Sequence, residues 1–146
     1  AALFPPLPTP LARAQFLGDL VSFSADLHPI VTRIAFPQIM IEHAEGALAL
    51  RAKALEMMAF QLNRFEQRLQ LQPWLAGQQW SVLDGYLHWV WFRITGAGFD
   101  PAPFPCIAAH YTRTLERPSV KRALEREAQA VRELESRGLM PRPKAT

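Results

Sequence analysis

The fold of this chain is decided by residues 81–92, which read SVLDGYLHWVWF. Ser81 and Asp84 stand three positions apart, the spacing of a capping box, in which each side chain satisfies the other residue's backbone N–H at the start of a helix. From residue 82 to residue 92 nearly every position is apolar, on all faces of the helix that follows. A helix that is hydrophobic all round is surrounded by other helices. The stretch therefore predicts the capped central helix of a bundle.

A long helix is predicted ahead of it, between Pro10 and Pro37. Thr9 is the expected N-cap, and Pro10 fits the first helical position, where a missing N–H costs nothing. Pro29 lies inside the pattern and must bend the helix, because its ring clashes with the carbonyl of Ala25. The predicted buried face recurs at steps of three and four residues: Leu17, Leu20, Val21, Ser24, Leu27, Val31 and Ile34.

Three further helices follow from the same spacing rules. One runs from about Glu45 to Leu71 and has an apolar seam of Leu55, Met58, Leu62, Phe65 and Leu69. A short one covers residues 106–116. The last runs from Pro118 to Gly138, with a predicted buried stripe at Val120, Leu124, Val131 and Leu134. Since the chain shows no β-alternation, the predicted fold class is all-α, a helical bundle of about five main helices.

The length of 146 residues leaves room for one domain. Prolines stiffen residues 1–9 into a lead-in that is similar to a linker. Residues 10–138 form the helical domain, and residues 139–146 are expected to fray. With 49% hydrophobic and 20% charged residues, the composition excludes a disordered tail.

The basic excess of the chain lies from Arg113 onward, where charges of both signs follow a helix without interleaved aromatics. A solvated helix face explains this better than a nucleic-acid patch. No apolar run approaches the ~18 residues that a membrane span needs, and the N-terminus lacks a secretory layout. We therefore expect neither a nucleic-acid nor a membrane partner. The single cysteine, Cys106, excludes an internal disulfide and fits a cytoplasmic location.

Three segments, in order and in register, resemble the C-terminal domain of the glutathione transferase family, most of all its bacterial beta-type members. They are residues 74–87 (WLAGQQWSVLDGYL), residues 116–124 (ERPSVKRAL) and residues 23–29 (FSADLHP). The resemblance covers nearly the whole chain up to Gly138. It implies the topology, a homodimer, and the half of the enzyme that binds the hydrophobic substrate while glutathione is conjugated to an apolar electrophile.

The family's other half, an N-terminal thioredoxin-like domain, carries most of the glutathione site and the activating residue. Nothing here offers a β-α-β unit or a C-x-x-C motif, and no length is spare for one. The resemblance thus implies no catalytic residue in this chain and no covalently bound cofactor, and it implies glutathione as co-substrate only where the N-terminal domain is present. The isolated chain is expected to lack transferase activity.

Two residues are implied to lie near glutathione. His28 matches the histidine that beta-type enzymes bring to this region, where an imidazole could donate a hydrogen bond to a thiolate. Asp26 matches the acid that contacts the γ-glutamyl ammonium across the dimer. A surface histidine and a solvated helix acid are the alternatives. Pro29 stands where the family has a basic residue, so one expected charge contact is lost.

The implied wall for the hydrophobic substrate consists of Trp89, Phe92 and Arg93, with Phe16 and Val21 as further candidates from the first helix. Apolar walls suit such electrophiles, because apolar burial is non-directional and tolerant of shape. Core packing is the alternative for Trp89 and Phe92. Arg93 follows a buried run, and its charge needs a partner or an exit to water.

Ser81 and Asp84 are assigned a structural capping role, whose loss should destabilise the chain by about 1 kcal/mol or more. The family usually has an aliphatic residue after the aspartate, which packs on the residue before the cap. Here that position is Gly85, so Trp80 is expected to lose its usual partner, and Tyr86 or Trp89 could cover it instead.

No metal site is expected. Glu42, His43 and Glu45 could suggest one, but no second histidine stands at ligand spacing from His43. Cys106 is interpreted as a small buried hydrophobe and matches no nucleophile of the family. A different function remains open, a stand-alone helical module that binds a protein partner without catalysis. A binder of small apolar ligands is a third possibility, without a positive sign.

Overall fold

The computed structural model describes residues 3–139, and every regular element in that range is helical. Its α-helices are α1 (Pro10–Ser22), α2 (His28–Ala35), α3 (Ala44–Leu71), α4 (Val82–Gly96), α5 (Pro105–Leu115) and α6 (Pro118–Ser136). A π-helical turn, Phe23–Leu27, joins α1 to α2 without a break, and a short 3-10 turn, Pro37–Ile39, follows α2. Since α1, the π turn and α2 form one helical run, the predicted all-α bundle of five main helices is confirmed.

The chain divides into two compact units, which comprise residues 3–111 and residues 112–139 of the described range. The second unit holds the end of α5 and α6, and no residue of α6 is buried. The predicted buried stripe on this helix is therefore wrong, since Leu124, Val131 and Leu134 are about 40% exposed. None of the described helices is long and apolar enough to cross a lipid bilayer.

The chain ends are only partly described. Of the predicted frayed tail, residues 139–146, only Leu139 belongs to the described range, and residues 1 and 2 of the lead-in also lie outside it. The rest of the lead-in packs on the bundle. The carbonyl of Leu3 accepts the N–H of Val82 at 2.9 Å, which is the first N–H of α4 and has no partner inside its own helix. The Phe4 ring packs on Phe16, with 5.2 Å between centroids.

The first helical run begins as predicted. The Thr9 side chain accepts the N–H of Ala12 at 3.1 Å, and Pro10 takes the first helical position. Before Pro29 the helix widens into the π turn, where the N–H of His28 donates to the carbonyl of Phe23, five residues back. The proline has no N–H and its ring crowds the preceding turn, so the wider turn accommodates the strain that was predicted as a bend.

The buried face of this run differs in part from the predicted one. Leu27, Val31 and Ile34 are buried as predicted, but Leu17 and Val21 are exposed, and Phe16 and Phe23 are buried in their place. The inward positions recur at steps of three and four residues: Phe16, Leu20, Phe23, Leu27, Val31 and Ile34. The predicted face is therefore confirmed at Leu20, which packs half-buried against the core, and wrong at Leu17, Val21 and Ser24, which are exposed.

The core of the first unit forms between the first run, α3 and α4. From α4 it receives Leu83, Leu87, Val90, Trp91 and Ile94, and from α3 it receives Ala54, Met58, Leu62 and Phe65. The predicted seam of α3 is thus buried at its middle and half-buried at Leu55 and Leu69. The predicted central helix and α3 each contribute six buried residues, although Phe92 of α4 is 54% exposed.

A buried glutamate fixes the start of α5. Glu66, on α3, accepts the N–H of Cys106 at 2.8 Å with one carboxylate oxygen and the N–H of Ile107 at 2.9 Å with the other. These are two of the N–H groups at a helix start that lack a partner inside the helix. A negative charge is also favourable there, because the helix dipole is positive at its N-terminus.

Candidate functional site

The start of α4 is held by Asp84, which is fully buried. One carboxylate oxygen accepts the backbone N–H of Ser81 at 2.7 Å and its hydroxyl at 2.9 Å. The other oxygen accepts the N–H of Leu75 at 2.8 Å and lies 3.0 Å from Nε2 of His110. The capping box is formed, and it extends to the preceding turn and to α5. This network fixes the helix that carries Trp89, Phe92 and Arg93.

Trp80 lacks its usual aliphatic partner, as expected, and packs on the backbone of Gly85 instead. Its indole lies directly over Gly85, so that a Cβ placed on this glycine would come within 3.2 Å of the ring. In the usual arrangement, a side chain at this position packs on the residue before the cap. Here position 85 has no side chain, and the indole of Trp80 occupies the space that one would fill. A side chain at position 85 would therefore press on the Trp80 ring.

His28 lies where the π turn meets α2, and it contacts two aromatic residues of α4. Its Nδ1 is 2.8 Å from the hydroxyl of Tyr86, and its ring lies against Trp89, with 4.5 Å between centroids and 32° between planes. His28 is exposed to solvent, whereas Tyr86 and Trp89 are half-buried. The structure thus brings two of the residues implied by the resemblance, His28 and Trp89, into direct contact, with a third residue beside both.

That third residue, Tyr86, was not predicted as a site residue. It stands three positions before Trp89, and residues at this spacing share a helix face, so the helical register was the available signal. Its ring stacks on Phe23 with 5.1 Å between centroids, and Phe23 stacks on Phe65 with 4.8 Å. Burial raises the pKa of the Tyr86 phenol above its ordinary value of 10.0.

A second feature of α4 lies nearer its C-terminal end. There Phe92 and Arg93 line a shallow cleft of about 360 Å³ together with Ala35, Phe36, Gly96 and Ala97. The guanidinium of Arg93 lies over the ring of Phe36, 5.4 Å from its centroid. This cation–π contact gives the arginine a partner while its surroundings stay open to water.

The remaining residues implied by the resemblance lie apart from these two features. Phe16 is buried and lines a different cleft of about 400 Å³, beside the ion pair of Asp19 and Arg68. Val21 is 62% exposed on α1. Asp26 is exposed in the π turn, two residues before His28. The structure therefore brings together His28 with Trp89, and Phe92 with Arg93, but it separates Phe16 from both pairs.

His43 and Cys106, the candidates for a metal ligand and a nucleophile, take part in contacts at helix starts. His43 is the N-cap of α3, where its ring accepts the N–H of Gly46 at 3.3 Å. Hydrogen bonding to Glu66, followed by burial and the negative charge of Glu66, raises the pKa of the Cys106 thiol, which opposes formation of a nucleophilic thiolate. Within residues 3–139, no group of three or more His, Cys, Asp or Glu residues is arranged to hold a metal ion.

The sequence profile described as "Glutathione S-transferase, C-terminal domain" matches residues 26–118, which is more than half of the chain. The chain belongs to this family. No curated protein matches the sequence of this transferase domain significantly. The matched range includes Asp26, His28, the capping box and the whole of α4.

Solved structures support the same fold for this transferase domain. A glutathione transferase from Methylococcus capsulatus is 29% identical, with a TM-score of 0.71 over 88% of this chain and 60% of that one. A sphingomonad glutathione S-transferase complexed with glutathione is 25% identical, with a TM-score of 0.71 over 86% and 59%. A glutathione S-transferase from Xylella fastidiosa is 22% identical, with a TM-score of 0.75 over 82% and 58%. The domain thus spans about 60% of these relatives' length.

Proposed function

We propose that this domain is the part of a glutathione transferase that binds the hydrophobic substrate and forms the dimer. The observation that carries the proposal is the family match together with the contact of His28 with Tyr86 and Trp89. In the proposed reaction, the thiolate of glutathione, held mainly by a thioredoxin-like domain, attacks an apolar electrophile. A sulfur–carbon bond forms, and the leaving group departs with its electron pair.

The roles of the individual residues follow from their surroundings. His28 is exposed and held from two sides, so its free ring nitrogen is suited to donate a hydrogen bond to the sulfur of glutathione. Trp89 supplies an apolar wall beside it, and Phe92 and Arg93 extend this wall along α4. Phe16 lines a different cleft and Val21 is exposed on α1 outside the cleft of Phe92 and Arg93, so we assign the substrate contacts to α4.

The partners of the proposed enzyme are glutathione, the apolar electrophile and a second copy of the chain. Asp26 supports a shared site, because an exposed carboxylate in the π turn could pair with the ammonium of glutathione bound by the other subunit. We propose no covalently bound cofactor, and glutathione is a co-substrate only when the thioredoxin-like domain is present. A cytoplasmic location agrees with the single free thiol of Cys106.

A fusion protein tests this proposal. The thioredoxin-like domain of the Methylococcus capsulatus relative would be joined to Ala1 of this chain, and conjugation of glutathione to an apolar aryl chloride would be followed by absorbance. We expect conjugation by the fusion and none by the 146-residue chain alone. Phe92→Ala should lower kcat/KM by about tenfold. A fully buried aromatic contact contributes a few kcal/mol, and Phe92 is partly exposed, so only part of that free energy should be lost from the transition state.

Phe60→Ala is the matched control, because Phe60 is also an exposed phenylalanine but lies on α3, beside Met57. It should leave kcat/KM within about twofold of the unmodified fusion. A folded fusion that binds glutathione yet conjugates nothing would refute the proposal. Such a result would favour the stand-alone interaction module instead.

A further inference from the structure

The hydrogen bond between Tyr86 and His28 has a direction, and that direction decides what the histidine can do. A neutral imidazole carries its hydrogen on one nitrogen and accepts on the other, and the bond made by one nitrogen determines the state of the other. We propose that Tyr86 is a positioning residue that donates its O–H to Nδ1 of His28 and so keeps the hydrogen of the ring on Nε2. In its bearing on catalysis, this inference rests on the proposed function.

The phenol is the donor because of what surrounds it. If Nδ1–H donated to the Tyr86 oxygen, the phenolic hydrogen would have to turn to solvent and the weaker pairing would form, because the phenol is the stronger acid and the imidazole nitrogen is the stronger base. The rings packed on Tyr86 are those of Phe23 and Trp89, and neither carries an acceptor oxygen or a free nitrogen lone pair. Burial also raises the pKa of the phenol, so the O–H persists at neutral and mildly alkaline pH.

Tyr86 can hold this direction because it is itself anchored in the core. Phe65 and Phe23, both fully buried, form with Tyr86 a stack of three rings that runs from α3 through the π turn to α4. Trp89 fixes the plane of the His28 ring from the other side. The histidine is thus an exposed group whose orientation is set from the interior, and preorganisation of this kind is what a hydrogen-bond donor in a reactive site requires.

The chemical consequence concerns Nε2. With Nδ1 occupied by the Tyr86 hydroxyl, Nε2 carries a hydrogen in the neutral ring, and it also carries one in the imidazolium. In the other neutral tautomer Nε2 would present a lone pair, which repels a thiolate. The tyrosine therefore makes His28 a hydrogen-bond donor toward an anionic sulfur in either protonation state of the ring.

The test is a long-range ¹H–¹⁵N NMR spectrum of the full 146-residue chain, recorded without glutathione at a pH where the same spectrum shows the His28 ring to be neutral. The nitrogen shifts identify which ring nitrogen carries the hydrogen. We expect the Nε2–H tautomer in the unmodified chain, and in Tyr86→Phe we expect the ratio of Nε2–H to Nδ1–H to fall by roughly five- to tenfold, the worth of one ordinary hydrogen bond.

Tyr86→Phe keeps the ring that stacks on Phe23, so the fold should persist, and the dispersion of the amide spectrum reports on it. Tyr111→Phe is the matched control, because Tyr111 is the chain's other tyrosine and stacks on a different histidine, His88; it should leave His28 unchanged. A predominant Nδ1–H tautomer in the unmodified chain, or an unchanged ratio in a folded Tyr86→Phe, would overturn the proposal. Should Tyr86→Phe fail to fold, the unmodified chain still decides the direction of the bond.

The two proposals fail separately. The tautomer is read from the chain alone and owes nothing to conjugation, so a fusion that conjugates nothing would remove the proposed function and leave the role of Tyr86 in place. Conversely, in an active fusion Tyr86→Phe should lower kcat about fivefold with little change in KM for the electrophile, because only the donor to the sulfur is disturbed. An unchanged kcat in this variant would show that the Tyr86–His28 hydrogen bond does not contribute to the reaction.

Discussion

Replacing Asp84 by alanine should be the most damaging single change in the first unit. The carboxylate accepts from two backbone N–H groups, those of Ser81 and Leu75, and from Nε2 of His110. All three donors would be left in a site that excludes water, and each unmade bond of this kind costs about 1–3 kcal/mol. The hydroxyl of Ser81 can rotate to another acceptor. We therefore expect a loss of about 3–6 kcal/mol, a large fraction of the ~5–15 kcal/mol that stabilises an ordinary domain.

Asp84→Asn is the sharper test, because it preserves the size of the side chain. One amide oxygen can still accept, but the NH2 group then faces donors that previously had a carboxylate oxygen. We expect a loss of about 2–4 kcal/mol. Asp100→Asn is the matched control. Asp100 is exposed and accepts a single N–H, that of Ala102 at 3.0 Å, so its amide should leave stability within about 0.5 kcal/mol.

Urea unfolding followed by tryptophan fluorescence and by circular dichroism would measure these free energies, and coincidence of the two probes would establish a two-state transition. In a thermal scan, each kcal/mol should lower Tm by roughly 2–4 °C. If Asp84→Asn proved no more destabilising than Asp100→Asn, the network would contribute nothing beyond an ordinary surface carboxylate. The reasoning that α4 is fixed by buried acceptors would then be wrong.

Three other changes test separate features. Glu66→Ala should cost about 2–4 kcal/mol and speed amide exchange at the start of α5, since two N–H groups there lose their acceptor. Burial and the nearby His110 lower the pKa of His88 in the folded chain. The unfolded chain therefore binds more protons, and stability falls as the pH drops below about 6.5. His88→Phe removes this group and should make stability depend less on pH. Gly85→Ala should destabilise by about 1 kcal/mol beside Trp80, yet stabilise by about 0.5–1 kcal/mol in a Trp80→Ala background.

Each of these has its own control. Glu56→Ala removes an exposed glutamate paired with Lys53, and a loss as large as that of Glu66→Ala would count against the cap on α5. For His88, urea midpoints at pH 5 and pH 7.5 give the slope, and equal slopes in both proteins would show that this imidazole does not titrate differently on folding. For Gly85, identical effects in both backgrounds would mean that Trp80 does not press on it.

The parts of the fold that were predictable depend on rules acting over one or two helical turns. Ser81 and Asp84 lie three residues apart, so their capping box could be read directly from the sequence, as could the cap at Thr9. The apolar character of α4 on all faces indicated its central place without reference to any partner. The middle of the α3 seam, at Met58 and Leu62, followed from simple periodicity.

The phase of the first helical run could not be predicted in the same way. Pro29 indicated that the helix is distorted at this point, but a kink, a break or a π turn would each relieve the clash between the proline ring and the preceding turn. Only the π turn inserts a residue, with the N–H of His28 bonded to the carbonyl of Phe23. The choice among the three depends on how Phe23 packs against α3 and α4, and that packing is a tertiary property.

The candidate site could not be predicted from local rules either, because it also depends on tertiary packing. The resemblance pointed to His28 and to Trp89, but Tyr86, which contacts both, is 58 positions from the histidine, and its partner Phe23 lies in the π turn. Had Pro29 been accommodated by a simple kink, His28 would stand about 100° further round the helix and would face away from Tyr86. The proline that removes one charge from the family's pattern therefore also sets the turn on which the orientation of the histidine depends. On this argument, Pro29→Ala should allow an ordinary helix to form and should weaken the His28–Tyr86 contact without any change to either residue.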